Sequence, residues 1–382
     1  MKRDSEKNKK YTKIIRKRVI LFFSILVFLF LLSVYQIYVV VTLIVPKQST
    51  SPFQGDFIFN PYQDYEWKET NEKIAIHLHS NDPWYTPERH SVNEIRQVYT
   101  ANGYSMIGIT DYGDMRSDDK SSDLIHGYEM GRNLRKRHAL GIGGRAIVHD
   151  YFPFYARRLN VSWTFNEMQK QGSYVIVSHP SLNRSFSAED LLEIDHYNAI
   201  EVFSPFGDNA KILTQLLDQG RNMHCMAGDD LHYFGEATIQ KFDQPIWKDL
   251  LQTILLQRGR KSENLKRYIV TSKGRASEAM VLEDLKHGSF FCVKKYFADP
   301  ESPSLPNIRI DSKNLVTLES NERYMEIRWI GKNGDFKQID PSVSKAAYQF
   351  TKEDTYIRLE IVSLSGIILS NAIYRQNLPK KY

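Results

Sequence analysis

Four separate stretches of the chain deliver residue types that bind metal ions. His77 and His79 close the apolar run KIAIHLHS (73–80), Asp111 closes SMIGITDY (105–112), His179 closes SYVIVSHP (173–180), and Asp230 with His232 follows NMHCMAG. On an extended strand, residues i and i+2 project to the same side, so the imidazoles of His77 and His79 can reach one ion or two adjacent ions. Asp230 and His232 repeat that spacing with a hard oxygen and a borderline nitrogen donor. Imidazole and carboxylate without thiolate suit Zn, Mn or Fe(II). A single histidine near a strand end is usually a satisfied or surface residue. Its recurrence at successive strand ends, from residue 77 to residue 232, points to a shared centre.

Such residues need a scaffold that gathers strand ends. Val92, Ile95, Val98 and Tyr99 repeat at helical spacing and predict a helix near 91–102. Further helices are expected near 187–195 and 208–219, on either side of the strand AIEVFS (199–204). Alternating β and α units of this size predict an α/β fold, a parallel sheet wrapped by helices, open or closed. In such sheets the carboxyl ends of the strands converge on one face, where active sites are built. The three prolines of ADPESPSLPN (298–307) mark a boundary, and the alternating runs beyond it predict an antiparallel β module over 308–382.

The N-terminus has a different texture. Residues 19–45 carry no charge, and at 1.5 Å per residue they reach roughly 40 Å, more than the ~30 Å hydrocarbon core of a bilayer. They are expected to form a transmembrane helix kept as an uncleaved anchor, since an apolar core this long and without a small-residue cleavage site does not fit a signal peptide. Nine Lys/Arg and two acidic residues precede it, so residues 1–18 form a basic tail on the cytoplasmic side and the rest lies beyond the membrane. That tail holds +7 in a chain whose total is +6, leaving −1 elsewhere, so no nucleic-acid partner is expected. Residues 46–70, rich in Pro, Ser, Gln and aromatics, read as a linker. The two cysteines, Cys225 and Cys292, cannot build a disulfide framework or a four-cysteine zinc site; one bridge between them is open.

The segments IAIHLHSND, GYSMIGITDYGD, GYEMGRNLRKRHALGIG, VIVSHP, AIEVFS and AGDDLH, in this order over about residues 72–235, resemble the PHP (polymerase and histidinol phosphatase) superfamily of metal-dependent phosphoesterases. The resemblance implies a distorted (β/α)7 TIM-like barrel, here over 71–297, with two or three divalent metals at the strand tips. It adds Glu129 and His138 to the ligand set of His77, His79, His179, Asp230 and His232. Two departures stand out. Where the family usually reads Thr-Asp-His with a ligand histidine, this chain has Thr110, Asp111, Tyr112; and after His79 the family's Ser-Asp-Gly is replaced, with Asp82 the candidate for the acidic position and His90 a candidate substitute donor.

The function that follows is hydrolysis of a phosphate ester by metal-activated hydroxide, on a phosphorylated small molecule or a glycan- or lipid-linked phosphate. Asp111 could orient a histidine ligand or move a proton to the leaving group. Arg132, Arg135, Arg137 and Arg184 could clamp phosphate, and Arg184, just behind His179, is favoured. Glu201 reads equally as a ligand or as a glutamate paired with a nearby arginine. Two alternatives stay open: hydrolysis of carboxylic or carbamate esters on the same scaffold, and a binding protein whose site has decayed at Tyr112.

Overall fold

A computed structural model provides the fold. It describes all residues except 1, 42–43, 49, 51–52, 65–70, 87–89, 117–122, 153–155, 236–262, 273, 299–300 and 378–382, and for 2–12 and 37–41 the backbone alone. The chain divides into two units, Met1–Pro46 and Lys47–Tyr382.

The first unit is one helix, α1 (Lys2–Val41), about 60 Å long at 1.5 Å per residue. All side chains from Lys13 to Gln36 are exposed, and the stretch is long and apolar enough to cross a membrane. Among the described residues, the apolar side chains up to Gln36 are therefore not buried within this unit. Ile44 and Val45, inside the expected span of 19–45, are not helical; Pro46 disfavours helical geometry in the residue before it.

In the second unit the apolar runs become strands. β2 (Glu72–Leu78) lies parallel to β3 (Met106–Ile109), which lies parallel to β4 (Leu124–Met130); β6 (Tyr174–Val177), β7 (Ala199–Ser204) and β9 (His224–Ala227) form a second parallel set, with the two-residue β8 (Gly207–Asp208) folded back antiparallel on β7. From Lys73 to Leu78 every residue of β2 is buried, as expected of a strand covered on both faces. β5 (Ala139–Ile142) joins the two sets and runs antiparallel to both β4 and β6. Sequence reading expects a parallel sheet from the alternating β and α units; residues 131–138 are too few for a crossover, so β4 must turn back into β5. Leu231, just beyond β9, then bridges Leu78 at the end of β2, with His79 N donating to Leu231 O at 2.9 Å. The result is a curled mixed sheet whose first and last strand ends touch.

Helices cover the parallel strands. α2 (Val92–Ala101) starts at Ser91, whose hydroxyl accepts from Glu94 N while the Glu94 carboxylate accepts from Ser91 N at 2.7 Å, a reciprocal cap. It buries Val92, Ile95 and Tyr99, and the Tyr99 hydroxyl donates to Asp229 at 2.9 Å. Asp229 also accepts from the backbone of Leu265 (2.6 Å) and Arg267 (3.0 Å), which fixes the entry of β10 (Arg267–Thr271) beside the end of β9. α3 (Arg158–Lys170), α4 (Ala188–Glu193), α5 (Ala210–Asp218) and α6 (Glu278–His287) complete the helical cover.

β10 pairs antiparallel with β2 and with β11 (Phe291–Lys295), and β11 pairs over five positions with β16 (Gly366–Ser370). The antiparallel strands expected beyond residue 307 thus continue the same sheet: β12 (Asn307–Ile310), β13 (Leu315–Ile330), β14 (Phe336–Gln349), β15 (Tyr356–Val362) and β16 are joined edge to edge. Within the expected linker, β1 (Phe57–Phe59) pairs with β17 (Ile373–Gln376), and Phe53 is buried against Tyr356 and Tyr374. A three-residue strand is too short to show a period in sequence.

Cys225 and Cys292 form a disulfide between β9 and β11. It closes a separation of 67 residues, for which chain entropy gives a stabilisation of about 4 kcal/mol. Next to it His224 is buried, with Nδ1 2.8 Å from the Tyr174 hydroxyl, and burial pushes its pKa down to about 4. Between its ordinary value near 6.5 and about 4, the unfolded chain takes up a proton that the folded chain refuses, so stability falls as pH falls through this window. The loss amounts to about 3 kcal/mol. In denaturant titrations of the full-length protein in detergent at pH 7 and pH 4, the wild type should lose about that much more than a His224→Gln variant. Equal losses would refute the assignment.

Candidate metal centre

Strand geometry brings the expected donors together. His77 lies in β2 and His79 just after it; their Nε2 atoms both stand 3.2 Å from Asp230 Oδ1, so the i, i+2 spacing does aim two imidazoles at one place. Glu129, at the end of β4, is wholly buried and contacts four histidines: His138 Nδ1 at 2.9 Å, His79 Nε2 at 3.2 Å, His179 Nε2 at 3.3 Å and His77 Nε2 at 3.6 Å. His138 immediately precedes β5, and His179 follows β6. Two donor groups result, His77, His79, Glu129 and Asp230, and Glu129, His138 and His179; within each, one atom per residue lies within 4.8 Å of the others. Glu129 belongs to both.

Several atoms here are buried without a hydrogen-bond partner: His77 Nε2, His79 Nδ1, Glu129 Oε2 and His179 Nδ1. An orphaned buried polar atom is costly, and two of these, His77 Nε2 and Glu129 Oε2, lie within the cluster of nitrogen and oxygen donors, where divalent cations fit as the missing partners. The backbone at His179 (φ 29°) and Asp230 (φ 47°) is left-handed, an uncommon state for residues with a side chain that is often found at functional sites.

Electrostatics follow from packing acids and imidazoles together in a buried place. Burial favours neutral Glu129, yet the charges of His138 and His77 hold its carboxyl well below the usual range. Asp230 is held low in the same way, chiefly by His232 and His77 against its burial. Burial alone would depress His77, but Glu201, Asp230 and Glu129 together raise it well above an ordinary histidine. For His138, burial outweighs the attraction of Glu129 and lowers its pKa.

Glu201 is the residue that sequence reading left undecided. It lies buried in β7 with Oε1 2.6 Å from His77 Nδ1, while its Oε2 accepts from His179 N at 2.7 Å. It thereby fixes the His77 ring and leaves Nε2 directed at the cluster. Gly228 makes room for this: a Cβ there would come within 2.3 Å of Glu201 Oε1 and 2.8 Å of His77 Cβ. The signal in sequence was the position of Glu201 on a strand of the same parallel set; its partner lies 124 residues away.

The other expected residues fall around the cluster. His232 Nε2 is 3.3 Å from Asp230, and its side chain is 21% exposed. Asp111 accepts from both the backbone and the hydroxyl of Ser80, each at 2.6 Å, and so pins the turn after His79. Asp82 lies outside the donor groups, exposed and ion-paired to Arg116. His90 accepts from Phe234 N at 3.1 Å. Arg184 is exposed and, among the described residues, makes no side-chain hydrogen bond or ion pair. Arg137 is buried and bonded to Ser185 O, Ala156 O and Asp190. Tyr112 stacks on His79, with ring centres 4.6 Å apart at 16°.

No family model matches the chain, and no curated protein sequence matches it. Among solved structures, the chain is similar to a two-domain protein from Bacteroides vulgatus that contains a predicted PHP-like metal-dependent phosphoesterase, at 15% identity and a TM-score of 0.41, over 86% of this chain and 100% of that one. It is also similar to a protein from Bifidobacterium adolescentis, proposed to be a metal-dependent phosphoesterase, at 13% identity and a TM-score of 0.33, over 44% of this chain and 90% of the other. At these scores, what this chain does has to be read from its own side chains.

Cations that bind the folded chain must stabilise it, by about 2.7 kcal/mol at a concentration one hundred times Kd. The melting temperature of full-length protein stripped with a chelator should rise on adding Mn or Zn, and the rise should shrink in His77→Ala and in Gly228→Ala and disappear in Glu129→Ala. A wild type that does not respond would contradict the centre.

Proposed function

We propose that the chain is a metal-dependent phosphoesterase, anchored in a membrane by α1, with the centre on the strand tips of a sheet that we read as a distorted barrel. The observation that carries this reading is the buried Glu129 carboxylate shared by two groups of nitrogen and oxygen donors, a set suited to a pair of divalent cations. His77, His79, Glu129 and Asp230 would hold one, and Glu129, His138 and His179 the other. When bound, such ions lower the pKa of water and neutralise charge on phosphoryl oxygens.

The remaining work falls to the chain. Glu201 keeps the His77 ring in the orientation that leaves Nε2 available, and Asp111 holds the turn that carries His79. His232 is the most exposed histidine of the group and stands beside Asp230, placed to exchange a proton with solvent or a leaving group at Nε2. Neither cysteine is free to serve as a nucleophile. Two buried donor groups that share Glu129 speak against a decayed site, even with Tyr112 in place of a histidine.

Two observations support an extracytoplasmic location for Lys47–Tyr382. The basic residues precede the apolar helix, and Cys225 and Cys292 are oxidised, as is usual outside the reducing cytoplasm.

Full-length protein in detergent should hydrolyse p-nitrophenyl phosphate or bis-p-nitrophenyl phosphate, but not p-nitrophenyl acetate, only with added Mn or Zn. His77→Ala and Asp230→Ala should abolish turnover, and Glu201→Gln should lower it about 10- to 100-fold. Intact cells displaying the protein should act on the same esters supplied outside. Activity that survives His77→Ala, or that appears only after lysis, would defeat the corresponding half of the proposal.

A further inference from the structure

We propose that Arg132, held against Tyr85 and Tyr112, binds a second anionic group on the substrate, so that the favoured substrates are small phosphate esters carrying two anionic groups. This deepens the phosphoesterase reading above and rests on it for the fate of the substrate, though not for its binding.

Arg132 follows Glu129 by three positions, across a sharp turn. Gly131 has φ 109°, and a Cβ there would meet Arg137 O at 2.1 Å, so the chain can pass only as glycine. The turn is then tied by Asn133, whose Oδ1 accepts from Arg137 N at 3.2 Å and whose amide donates to Arg137 O at 3.3 Å. This fixes the backbone from which the Arg132 side chain leaves.

The guanidinium carbon lies 4.9 Å from the centre of the Tyr85 ring and 5.6 Å from that of Tyr112, both within the range of cation–π attraction. The two rings are linked, since the Tyr85 hydroxyl donates to Tyr112 O at 2.8 Å. Tyr112 in turn stacks on His79. The cation is therefore within about 10 Å of the centre of the His79 ring and, among the described residues, has no ion pair or hydrogen bond with the cluster. One small molecule carrying two anionic groups can bridge a separation of up to that length.

Its charge is also available. Arg132 is exposed and, among the described residues, has no carboxylate partner, whereas Arg116 pairs with Asp82 and Arg137 with Asp190. A guanidinium lying over aromatic faces keeps its N–H edge for a planar, bidentate acceptor such as phosphate or carboxylate. Tyr112, standing where the resemblance calls for a metal-binding histidine, thus acquires a different task as the wall that carries this cation.

The test is calorimetric titration of Mn-loaded full-length protein in detergent with fructose 1,6-bisphosphate and with fructose 6-phosphate. The wild type should bind the bisphosphate about tenfold or more tightly than the monophosphate, the preference expected from one charge-assisted contact. Arg132→Ala and Arg132→Gln should erase that preference and leave monophosphate affinity unchanged. Equal binding of the two sugars by the wild type, binding of neither, or a preference that persists in both variants would overturn the proposal. Phosphate release measured on the same samples separates the two readings. A bisphosphate bound selectively but never hydrolysed removes the esterase and keeps the subsite; hydrolysis without selectivity does the reverse.

Discussion

Everything in the second unit converges on one buried carboxylate. Glu129 is removed from water and surrounded by the imidazoles of His77, His79, His138 and His179. An ionised carboxylate in such a place costs several kcal/mol unless positive charge and hydrogen bonds compensate it. The imidazoles supply part of that compensation, and the orphaned nitrogen and oxygen atoms mark where the remainder is missing. The curled sheet, the seam at Leu78 and Leu231, and the left-handed turns at His179 and Asp230 are the means by which distant parts of the chain reach this one group.

Much of this was legible in the residues. His77 with His79, and Asp230 with His232, could be read from a two-residue spacing because strand geometry is local. His179 could be placed because it ends a short apolar run. Glu129 and His138 came only from the family resemblance, since LIHGYEM shows no clean alternation and the reversal between β4 and β5 breaks the expected parallel rhythm. Glu201 stayed ambiguous because its meaning depends on an approach to His77 across 124 residues and on the absence of a side chain at Gly228, and neither is a local property. Asp82 illustrates the opposite failure: its position after the first motif suggested a donor, but the loop turns it outward to Arg116.

The peripheral elements now have physical roles. Tyr112 lies flat on His79 rather than donating a nitrogen, which leaves two donor groups among the described residues. Asp229, one residue from Asp230, ties α2 and the start of β10 to the end of β9, so the last donor strand is held from both sides. The disulfide adds a covalent tie between β9 and β11, and the C-terminal strands extend the sheet on which that tie rests.

The most direct test of the shared carboxylate is a count of bound transition-metal ions per chain by elemental analysis of full-length protein and two variants. The account predicts two ions in the wild type, one in His138→Ala and none in Glu129→Ala. A wild type without bound metal, or a Glu129→Ala variant that keeps the full complement, would contradict it.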